Sequence, residues 1–428
     1  MHQPSPASYW LASAPDFSGG TDGPVSGSVD VAVIGGGFTG LSAALALRES
    51  GASVALLEAN RVVGEASGRN GGHCNASTHQ DHAALSAALG RERAAEYYRA
   101  HLDAVDTVER LVRDHAIDCD FRRCGRLKFA AKAEHFEKMA KSYEIIKADV
   151  DPDVELISAD QIARETATPG YHGGLLQKTS AQLHVGRFGV GLAEAASAKG
   201  AAIFENAAVS GLVREGAGWR VTTARGTLFA KQVLVATGGA GTPSPVAWFQ
   251  RRIVGVGSFV VATEPLRPAL IDELLPMRRN YVTSRVIGNY FRFSPDNRLI
   301  FGGRGRFSIS DSKADVKSGA ILIRAMRRMF PQLESTRIDH VWGGMVDMTA
   351  DRLPRAGEQD GLFYALGYSG HGVQMAPHMG VQMARYMGGD MSANPWSELA
   401  WPAIPGHVGK PWFLPAVGLW YKLQDILH

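Results

Sequence analysis

The chain has 428 residues, of which 45% are hydrophobic and 20% charged, and its formal net charge is only +3. This composition disfavours intrinsic disorder and fibrous repeats. The charges are spread along the chain, which gives little support to nucleic-acid binding. Three cysteines argue against a disulfide scaffold and favour a cytoplasmic protein. Glycine is the exception, because its 49 copies exceed the usual share of about 7%.

The first predicted elements are a strand, a turn and a helix. Residues 29–34 form a β-branched run typical of a buried parallel strand, and residues 41–50 place apolar side chains at helical spacing. Between them, residues 35–40 read GGGFTG and carry the G-x-G-x-x-G pattern. A second apolar run, residues 53–57, ends at Glu58. We predict a βαβ unit here, and the consecutive glycines argue against a membrane-spanning helix.

This turn is typical of a dinucleotide site. Gly35 permits a sharp turn, Gly37 lets a pyrophosphate approach the backbone, and Gly40 lets the helix pack closely on the strand. The helix N-terminus, at Phe38 and Thr39, offers free N–H groups to the phosphates. We therefore expect a dinucleotide at this turn.

Glu58 and the segment after it narrow the choice of dinucleotide. A carboxylate at the end of the second strand can accept hydrogen bonds from both ribose hydroxyls and would repel a 2′-phosphate, which disfavours NADP. Residues 60–72, NRVVGEASGRNGG, then add a second glycine cluster. Glycine lets backbone approach a ligand closely. The segment therefore predicts an extended ligand lying along the chain.

With this segment, the sequence resembles the flavin-dependent amine and amino-acid oxidases of the D-amino-acid oxidase superfamily. The resemblance is strongest to its gamma-glutamylputrescine oxidase and L-pipecolate oxidase branch, and it implies FAD as the cofactor. The other motifs that carry it are SYWLASAP at 8–15, VLVATGGAG at 233–241, YFRFSPDNRLIFGG at 290–303, WGGMVDMTADRLPRAG at 342–357 and YALGYSGHGVQMAPHMG at 364–380.

The resemblance implies an α/β fold in which a Rossmann-like FAD-binding domain is interleaved with an α+β substrate domain built on an antiparallel sheet. We expect residues 27–80, 180–240 and 335–428 in the FAD-binding domain, residues 81–179 and 241–334 in the substrate domain, and residues 1–26 as an N-terminal extension. Some flavoproteins of this superfamily attach FAD through a cysteine in the region matching WGGMVDM. This chain has no cysteine there, so we expect non-covalent FAD, and no metal site is predicted.

The resemblance also implies which residues contact FAD. They belong to the first turn, the end of the second strand, the GRNGG segment, the VATGG segment and the SGHG turn. The expected contacts are Gly35, Gly37, Phe38, Thr39, Gly40, Glu58, Ala59, Arg61, Ser67, Gly68, Arg69, Asn70, Gly71, Gly72, Val209, Thr237, Gly238, Gly343, Gly370, His371, Gly372 and Val373. The SGHG turn precedes a helix-like run, whose N-terminus can stabilise negative charge on a reduced flavin.

The implied reaction removes hydride from a carbon that bears an amine, so the substrate must react as the neutral amine. His73 and His371 are expected beside the flavin ring. Tyr290 and Arg292 share one face of a predicted strand, where Arg292 would bind a substrate carboxylate. These four residues are the expected catalytic site.

Other side chains are weaker candidates. Arg304 and Arg306 follow the next predicted strand and are further cations. Tyr281 and Trp342 would form an apolar or cation-binding wall, with core packing as the favoured alternative. His184 stands where the superfamily often has His-Pro, and its role is open.

The partner predictions leave alternatives open. The substrate is a gamma-glutamylputrescine-like amine or a cyclic secondary amino acid such as L-pipecolate, and the electron acceptor is molecular oxygen. Alternatively, the protein is a dehydrogenase that reduces a quinone or carrier protein, or a non-catalytic flavin sensor. A homo-oligomer is compatible with the sequence. The apolar segment 401–428 is expected to close on the FAD-binding domain, with a membrane or protein contact as the alternative.

Overall fold

The computed structural model describes residues 3–238, 246–303, 307–409 and 411–427. Twelve α-helices occur in these ranges, and in chain order they are α1 Tyr9–Ala12, α2 Phe38–Glu49, α3 Ala66–Arg69, α4 His82–Leu89, α5 Arg91–Asp114, α6 Ala133–Asp149, α7 Val185–Ala198, α8 Ala247–Gln250, α9 Pro268–Leu274, α10 Ser312–Met329, α11 Gly372–Met387 and α12 Leu414–Leu427. Short 3₁₀ helices span Ala159–Arg164, Pro331–Leu333 and Met391–Ala393.

The strands of the same ranges form three sheets. In chain order they are β1 Ser28–Ile34, β2 Val54–Leu57, β3 His73–Cys74, β4 Arg122–Arg123, β5 Arg126–Phe129, β6 Glu155–Ile157, β7 Gly174–Gln177, β8 Ala181–Gln182, β9 Ala202–Phe204, β10 Val209–Glu215, β11 Gly218–Thr223, β12 Gly226–Val235, β13 Val254–Thr263, β14 Asn280–Thr283, β15 Asn289–Phe293, β16 Leu299–Gly303, β17 Ile338–Met348, β18 Arg355–Gln359 and β19 Leu362–Leu366.

The first sheet has a parallel centre in the order β9, β2, β1, β12, β19. Its register pairs Ile34 with both Leu57 and Val235, and Val235 with Tyr364. The carboxyl ends of these strands therefore meet at one edge, which is where open α/β sheets bind ligands. The predicted βαβ unit is confirmed as β1, α2 and β2.

The second sheet has the order β17, β13, β16, β15, β14, β5, β7, β6 and is antiparallel except where β14 pairs with β5. One face is apolar and packs against α10, with Phe129, Tyr281 and Phe291 stacked in its core. The side chains between them, such as Lys128 and Tyr290, point to the opposite face, because successive residues of a strand alternate. That opposite face is the polar one.

These sheets confirm the predicted fold class and locate several weaker candidates. Tyr281 belongs to the core of the second sheet, and Trp342 is fully buried with its indole N–H donating to the Arg69 carbonyl. Neither is a substrate wall, because both rings are covered by packing. Arg304 and Arg306 lie outside the described residues. The domain boundaries stay a prediction, with one exception.

The exception is β17, which the sequence-based division places in the FAD-binding domain. It pairs with β13 from Val254 to Thr263 and so belongs to the second sheet. The long, regular pairing decides this, since a strand belongs to the sheet that satisfies its backbone hydrogen bonds. Only β18 and β19, further along the chain, join the first sheet.

The C-terminal helix α12 also differs from expectation. Its Asp425 carboxylate accepts hydrogen bonds from the backbone N–H groups of Val286 and Ile287, and Leu414 packs on β13. The helix therefore closes on the second sheet, whereas Trp401, at the start of the same segment, packs on Tyr364 of the first sheet as expected. Trp420 on this helix is exposed. Among the described helices, none combines the length and apolarity that crossing a membrane requires.

Candidate active site

A cavity of about 620 Å³ lies between the carboxyl edge of the first sheet and the polar face of the second sheet. Its first wall consists mainly of backbone from the glycine-rich turns that follow β1, β12 and β19. Its second wall consists mainly of side chains from β5, β7, β14 and β15. The volume is typical of a cofactor and substrate site.

Three glycines shape the first turn, as predicted. Gly35 has a φ of +112°, and a Cβ there would lie 2.7 Å from the Ala236 carbonyl oxygen. A Cβ on Gly40 would overlap the Gly35 carbonyl oxygen, so only glycine lets α2 start this close to β1. Gly37 is the N-cap of α2 and lines the cavity. The N-terminus of α2 is therefore directed at the cavity, which favours an anionic ligand.

Glu58 lies where β2 ends and lines the same wall. Its carboxylate accepts hydrogen bonds from the backbone N–H groups of Gly36 at 2.7 Å and Asn60 at 2.8 Å. Burial raises the pKa of the carboxyl above its ordinary value, while these two N–H groups oppose that change. The two backbone bonds hold the carboxylate at the cavity wall, where a ribose would meet it.

The GRNGG loop is held by hydrogen bonds to successive carbonyl oxygens. Four side chains from distant segments donate to residues 68–71: Ser8 to Gly68 at 2.6 Å, Trp342 to Arg69 at 2.9 Å, Trp10 to Asn70 at 2.7 Å and Arg292 to Gly71 at 2.9 Å. Buried carbonyls need such partners. The SYWLASAP segment thus has a structural role, since it supplies two of the four donors.

The structure corrects the prediction for Arg292. Its side chain is 1% exposed, lies over the Trp10 ring and does not line the cavity. Besides the bond to Gly71, it donates to the Leu183 carbonyl at 2.7 Å. An arginine whose charge is covered in this way supports the loop instead of binding a substrate carboxylate.

The segment 364–380, which contains the SGHG turn, contacts the first turn beside the cavity. The Thr39 and Tyr368 hydroxyls lie 2.8 Å apart and share a hydrogen bond, and a Cβ on Gly380 would overlap the Thr39 carbonyl oxygen. Helices α2 and α11 therefore pack closely, and both begin at the cavity. His371 is the N-cap of α11 and lines the cavity beside Gly372.

His73 and His371 are both half-buried at the cavity wall. Burial, reinforced by the charge of Arg292, holds the pKa of His73 well below its ordinary value. Burial, with His79 and His101 nearby, does the same for the pKa of His371. Both imidazoles are therefore neutral near pH 7. Within the described chain, Nε2 of His73 and Nδ1 of His371 have no hydrogen-bond partner.

Most of the residues predicted to form the site line this one cavity. They are Gly35, Gly37, Phe38, Thr39, Glu58, Ala59, Ser67, Arg69, Asn70, Gly71, His73, Val209, Thr237, Gly238, Tyr290, Gly370, His371, Gly372 and Val373. The structure therefore brings together residues from four distant parts of the chain.

Five more predicted contacts do not line the cavity. Gly40 is buried in α2, Gly68 packs against Leu11, and Gly72 lies against the Arg292 guanidinium. Arg61 points away toward Asp16, and the Gly343 backbone bonds Arg69 and Asp315. These residues support the wall from behind. His184 likewise caps α7, where its Nδ1 accepts from the Arg187 N–H.

Sequence reasoning missed several charged residues of the second wall. Arg126, Lys128, Asp347 and Arg352 all line the cavity. Asp347 accepts a 2.7 Å hydrogen bond from the Gly367 N–H, and burial raises the pKa of its carboxyl to about 6. The alternation in RLKF, residues 126–129, was the available signal, since it places two cations on one face of a strand.

These residues fit FAD. The glycine turn leaves the backbone open to a pyrophosphate, Glu58 is fixed at a ribose position, and the two unpartnered imidazole nitrogens lie farther along the same cavity. Cys74 is buried in β3 and does not line the cavity. The residues of the first wall would therefore hold the cofactor.

Comparison with known proteins gives the family. The model of the FAD-dependent oxidoreductase family DAO matches residues 30–386. A probable oxidoreductase OrdL of Haemophilus influenzae is 32% identical over 369 residues, which cover 84% of this chain and 83% of that protein. The gamma-glutamylputrescine oxidoreductase of Escherichia coli is 31% identical over 368 residues, covering 86% and 85%.

Solved structures show the same fold. Glycine oxidase from Geobacillus kaustophilus matches with a TM-score of 0.68 at 22% identity, covering 89% of this chain and 98% of that one. An L-amino acid deaminase from Proteus myxofaciens matches with a TM-score of 0.72 at 19% identity, covering 88% and 93%. These findings confirm the FAD cofactor and the enzyme class predicted from the motifs. The chain belongs to the DAO family of FAD-dependent oxidoreductases, flavoenzymes that act on amines and amino acids.

Proposed function

We propose that the protein is an oxidase of a gamma-glutamylputrescine-like amine, with molecular oxygen as the electron acceptor. The observation that carries the proposal is the single cavity that joins the FAD-binding turn to the polar face of the second sheet. A substrate on that face lies in the same enclosed space as the cofactor. The relative from Escherichia coli named for this substrate supports the choice of amine.

The residues of the chain prepare the amine for oxidation. FAD, when bound, supplies the acceptor for the hydride that leaves the carbon beside the nitrogen, and oxygen takes up the two electrons with two protons as hydrogen peroxide. The imidazoles of His73 and His371, which burial keeps neutral, can accept a hydrogen bond from the N–H group of an amine that reacts in its neutral form. The nitrogen lone pair is then free to form the C=N bond of the imine.

Tyr290 completes this end of the cavity. Its ring centroid lies 5.3 Å from that of His73 in an edge-to-face contact. Its hydroxyl is 3.4 Å from Ser258 Oγ. A Cβ on Gly71 would lie 2.5 Å from the Tyr290 ring, so the loop and the ring pack directly together. Tyr290 therefore positions His73 and limits the space for the amine.

Anaerobic bleaching of the flavin tests the proposal. The enzyme is mixed without oxygen with gamma-glutamylputrescine, L-pipecolate, L-proline, sarcosine or D-amino acids, and the flavin absorbance is followed. We expect the fastest bleaching with gamma-glutamylputrescine, and stoichiometric hydrogen peroxide when air is admitted.

The other outcomes separate the alternatives. Faster bleaching by L-pipecolate would replace the proposed substrate with a cyclic amino acid. Bleaching without peroxide under air, but with rapid reduction of a quinone, would identify a dehydrogenase. A flavin that no amine bleaches would identify a sensor and refute the proposal.

A further inference from the structure

Two cations lie side by side on the cavity wall that is opposite the glycine-rich turns. Arg126 and Lys128 are alternate residues of β5 and both line the cavity, while Leu127 and Phe129 point into the core behind them. Alternate residues of a strand share one face. The strand therefore presents two positive side chains, and no negative one, to the substrate space.

Carboxylates of the described residues do not neutralise this pair. Neither Arg126 nor Lys128 makes an ion pair in the described part of the chain, and Lys128 makes no hydrogen bond there. The Asp81 carboxylate also lines the cavity and attracts Lys128, but it caps α4, accepts from Ser142 Oγ at 2.8 Å and forms no ion pair with either cation among the described residues. Burying cations without a partner is unfavourable. Such a pair is expected where a ligand brings the negative charge.

One edge of the Arg126 guanidinium has no hydrogen-bond partner among the described residues. Its Nη1 donates to Ser77 Oγ at 2.8 Å and to Gln177 Oε1 at 2.7 Å. Its Nε is buried and has no hydrogen-bond partner among the described residues, and Nη2 has none there either. Nε and Nη2 form the edge that binds a carboxylate through two parallel hydrogen bonds.

Strand register gives the distance of this pair from the histidines. Tyr290, which contacts His73, pairs with Val282, and Val282 pairs with Lys128. Neighbouring strands are about 4.8 Å apart, so Lys128 lies about 10 Å from Tyr290 across the sheet. Lys128 is therefore two strands away from the tyrosine that contacts His73, while the charge of Arg126 still reaches His73 and His371 and helps to lower their pKa values.

We propose that Arg126 and Lys128 form the binding site for a carboxylate at the far end of the amine substrate. The proposal rests on the amine oxidation proposed above and names its substrate class, which is a long amine whose far end carries a carboxylate. In gamma-glutamylputrescine nine bonds separate the reacting carbon from the carboxylate carbon, a span of roughly 11 Å when extended. In L-pipecolate no more than three bonds separate the carboxylate carbon from either carbon beside the nitrogen, so this substrate cannot reach both ends.

The first test compares two substrates that differ only in this charge. N-Glutarylputrescine ends in a carboxylate, and N-pentanoylputrescine ends in a methyl group at the same position. We expect Lys128→Met and Arg126→Met each to lower the kcat/KM ratio of the first over the second roughly ten- to hundredfold, since hydrogen bonds to charged groups are strong. Activity on N-pentanoylputrescine should fall much less than activity on N-glutarylputrescine, because only the second substrate loses a charged partner.

A control variant removes the same charge outside the cavity. Lys178→Met deletes an exposed lysine that forms an ion pair with Glu155 and does not line the cavity. It should leave the substrate ratio unchanged. Lys128→Arg, which keeps the charge, should retain most of the preference and rules out a general packing defect. If Lys128→Met lowered kcat/KM equally for both substrates, the proposal would be overturned.

A binding measurement separates this proposal from the proposed function. The FAD-loaded enzyme is titrated by calorimetry with hexanoate and, as an uncharged analogue, with hexanamide. We expect the unaltered enzyme to bind hexanoate but not hexanamide. Lys128→Met should no longer bind hexanoate, whereas Lys178→Met should bind it normally. If no amine bleaches the flavin and this pattern still holds, the anion site stands while the amine oxidation falls. If hexanoate binds all variants equally or none, the anion site is refuted, whatever the flavin shows.

Discussion

The two walls of the cavity are built from different parts of the polypeptide. The wall formed by the first sheet is mostly backbone, shaped by glycines and by the N-termini of α2 and α11. The wall formed by the second sheet is mostly side chains, including Arg126, Lys128 and Tyr290. Backbone groups suit a cofactor whose phosphates need N–H donors. Side chains suit a substrate, because they can differ in charge and length.

This difference predicts different responses to mutation. Changes to the first wall should act on FAD retention and leave substrate preference unchanged. Changes to the second wall should act on substrate preference and leave FAD in place. The variants below test this separation, beginning with the largest expected effect.

Gly40→Ala should abolish FAD retention. A Cβ at this position would overlap the Gly35 carbonyl oxygen and push α2 away from β1. We expect purified Gly40→Ala protein to carry less than about a tenth of the normal flavin, because overpacking of this kind costs about 1–3 kcal/mol or more. Flavin absorbance per protein checks it. Gly211→Ala, whose Cβ would make ordinary contact 3.6 Å from Thr222, is the control and should keep its flavin.

Arg292→Met should destabilise the protein without changing substrate preference. The substitution leaves the Gly71 and Leu183 carbonyls without their donor, and each buried unsatisfied group costs about 1–3 kcal/mol. Urea unfolding of the FAD-loaded enzyme measures the loss. Arg220→Met, which removes an exposed arginine paired with Glu215, should be nearly neutral. A large rise in KM at unchanged stability would restore Arg292 as a substrate ligand.

Glu58→Gln should weaken FAD binding about tenfold, because hydrogen bonds to a charged acceptor are about twice as strong as neutral ones. The amide oxygen can replace only one of the two acceptor oxygens that Gly36 and Asn60 now use. Fluorescence titration of flavin-depleted protein with FAD gives the dissociation constant. A changed preference between the two putrescine derivatives would contradict the separation of the walls.

The smallest effect concerns pH. Burial, together with the charge of Arg126 and against that of Asp81, lowers the pKa of Lys128 to about 8. Above that pH its ammonium loses its proton, so the attraction for a carboxylate falls as pH rises. We expect the kcat/KM ratio of N-glutarylputrescine over N-pentanoylputrescine to fall about three- to tenfold from pH 7 to pH 9.

Taking the ratio cancels the ionisation of the substrate amine, which is the same in both compounds. Lys128→Arg should abolish the pH dependence, because a guanidinium stays protonated throughout this range. A ratio that does not change with pH in the unaltered enzyme would show that Lys128 does not contact the carboxylate.

The accuracy of the sequence-based predictions follows the same division. The contacts of the first wall were predictable because a phosphate-binding turn needs glycines at fixed spacing along a short segment. Gly35, Gly37 and Glu58 all line this wall, and their contacts with FAD stay a prediction. The role of Arg292 was wrong, since the strand pattern predicts which face it occupies but not that the loop at residues 68–71 covers that face.

The sequence by itself determined the α/β fold, the FAD cofactor and the family, because these depend on local patterns of glycine, β-branched runs and helix starts. Only the tertiary structure decided that Arg292 supports a loop, that β17 joins the second sheet, and that Arg126 and Lys128 face the substrate space. Those facts depend on the pairing of strands distant in the chain. Such pairing is set by the packing of the whole molecule and not by any one segment.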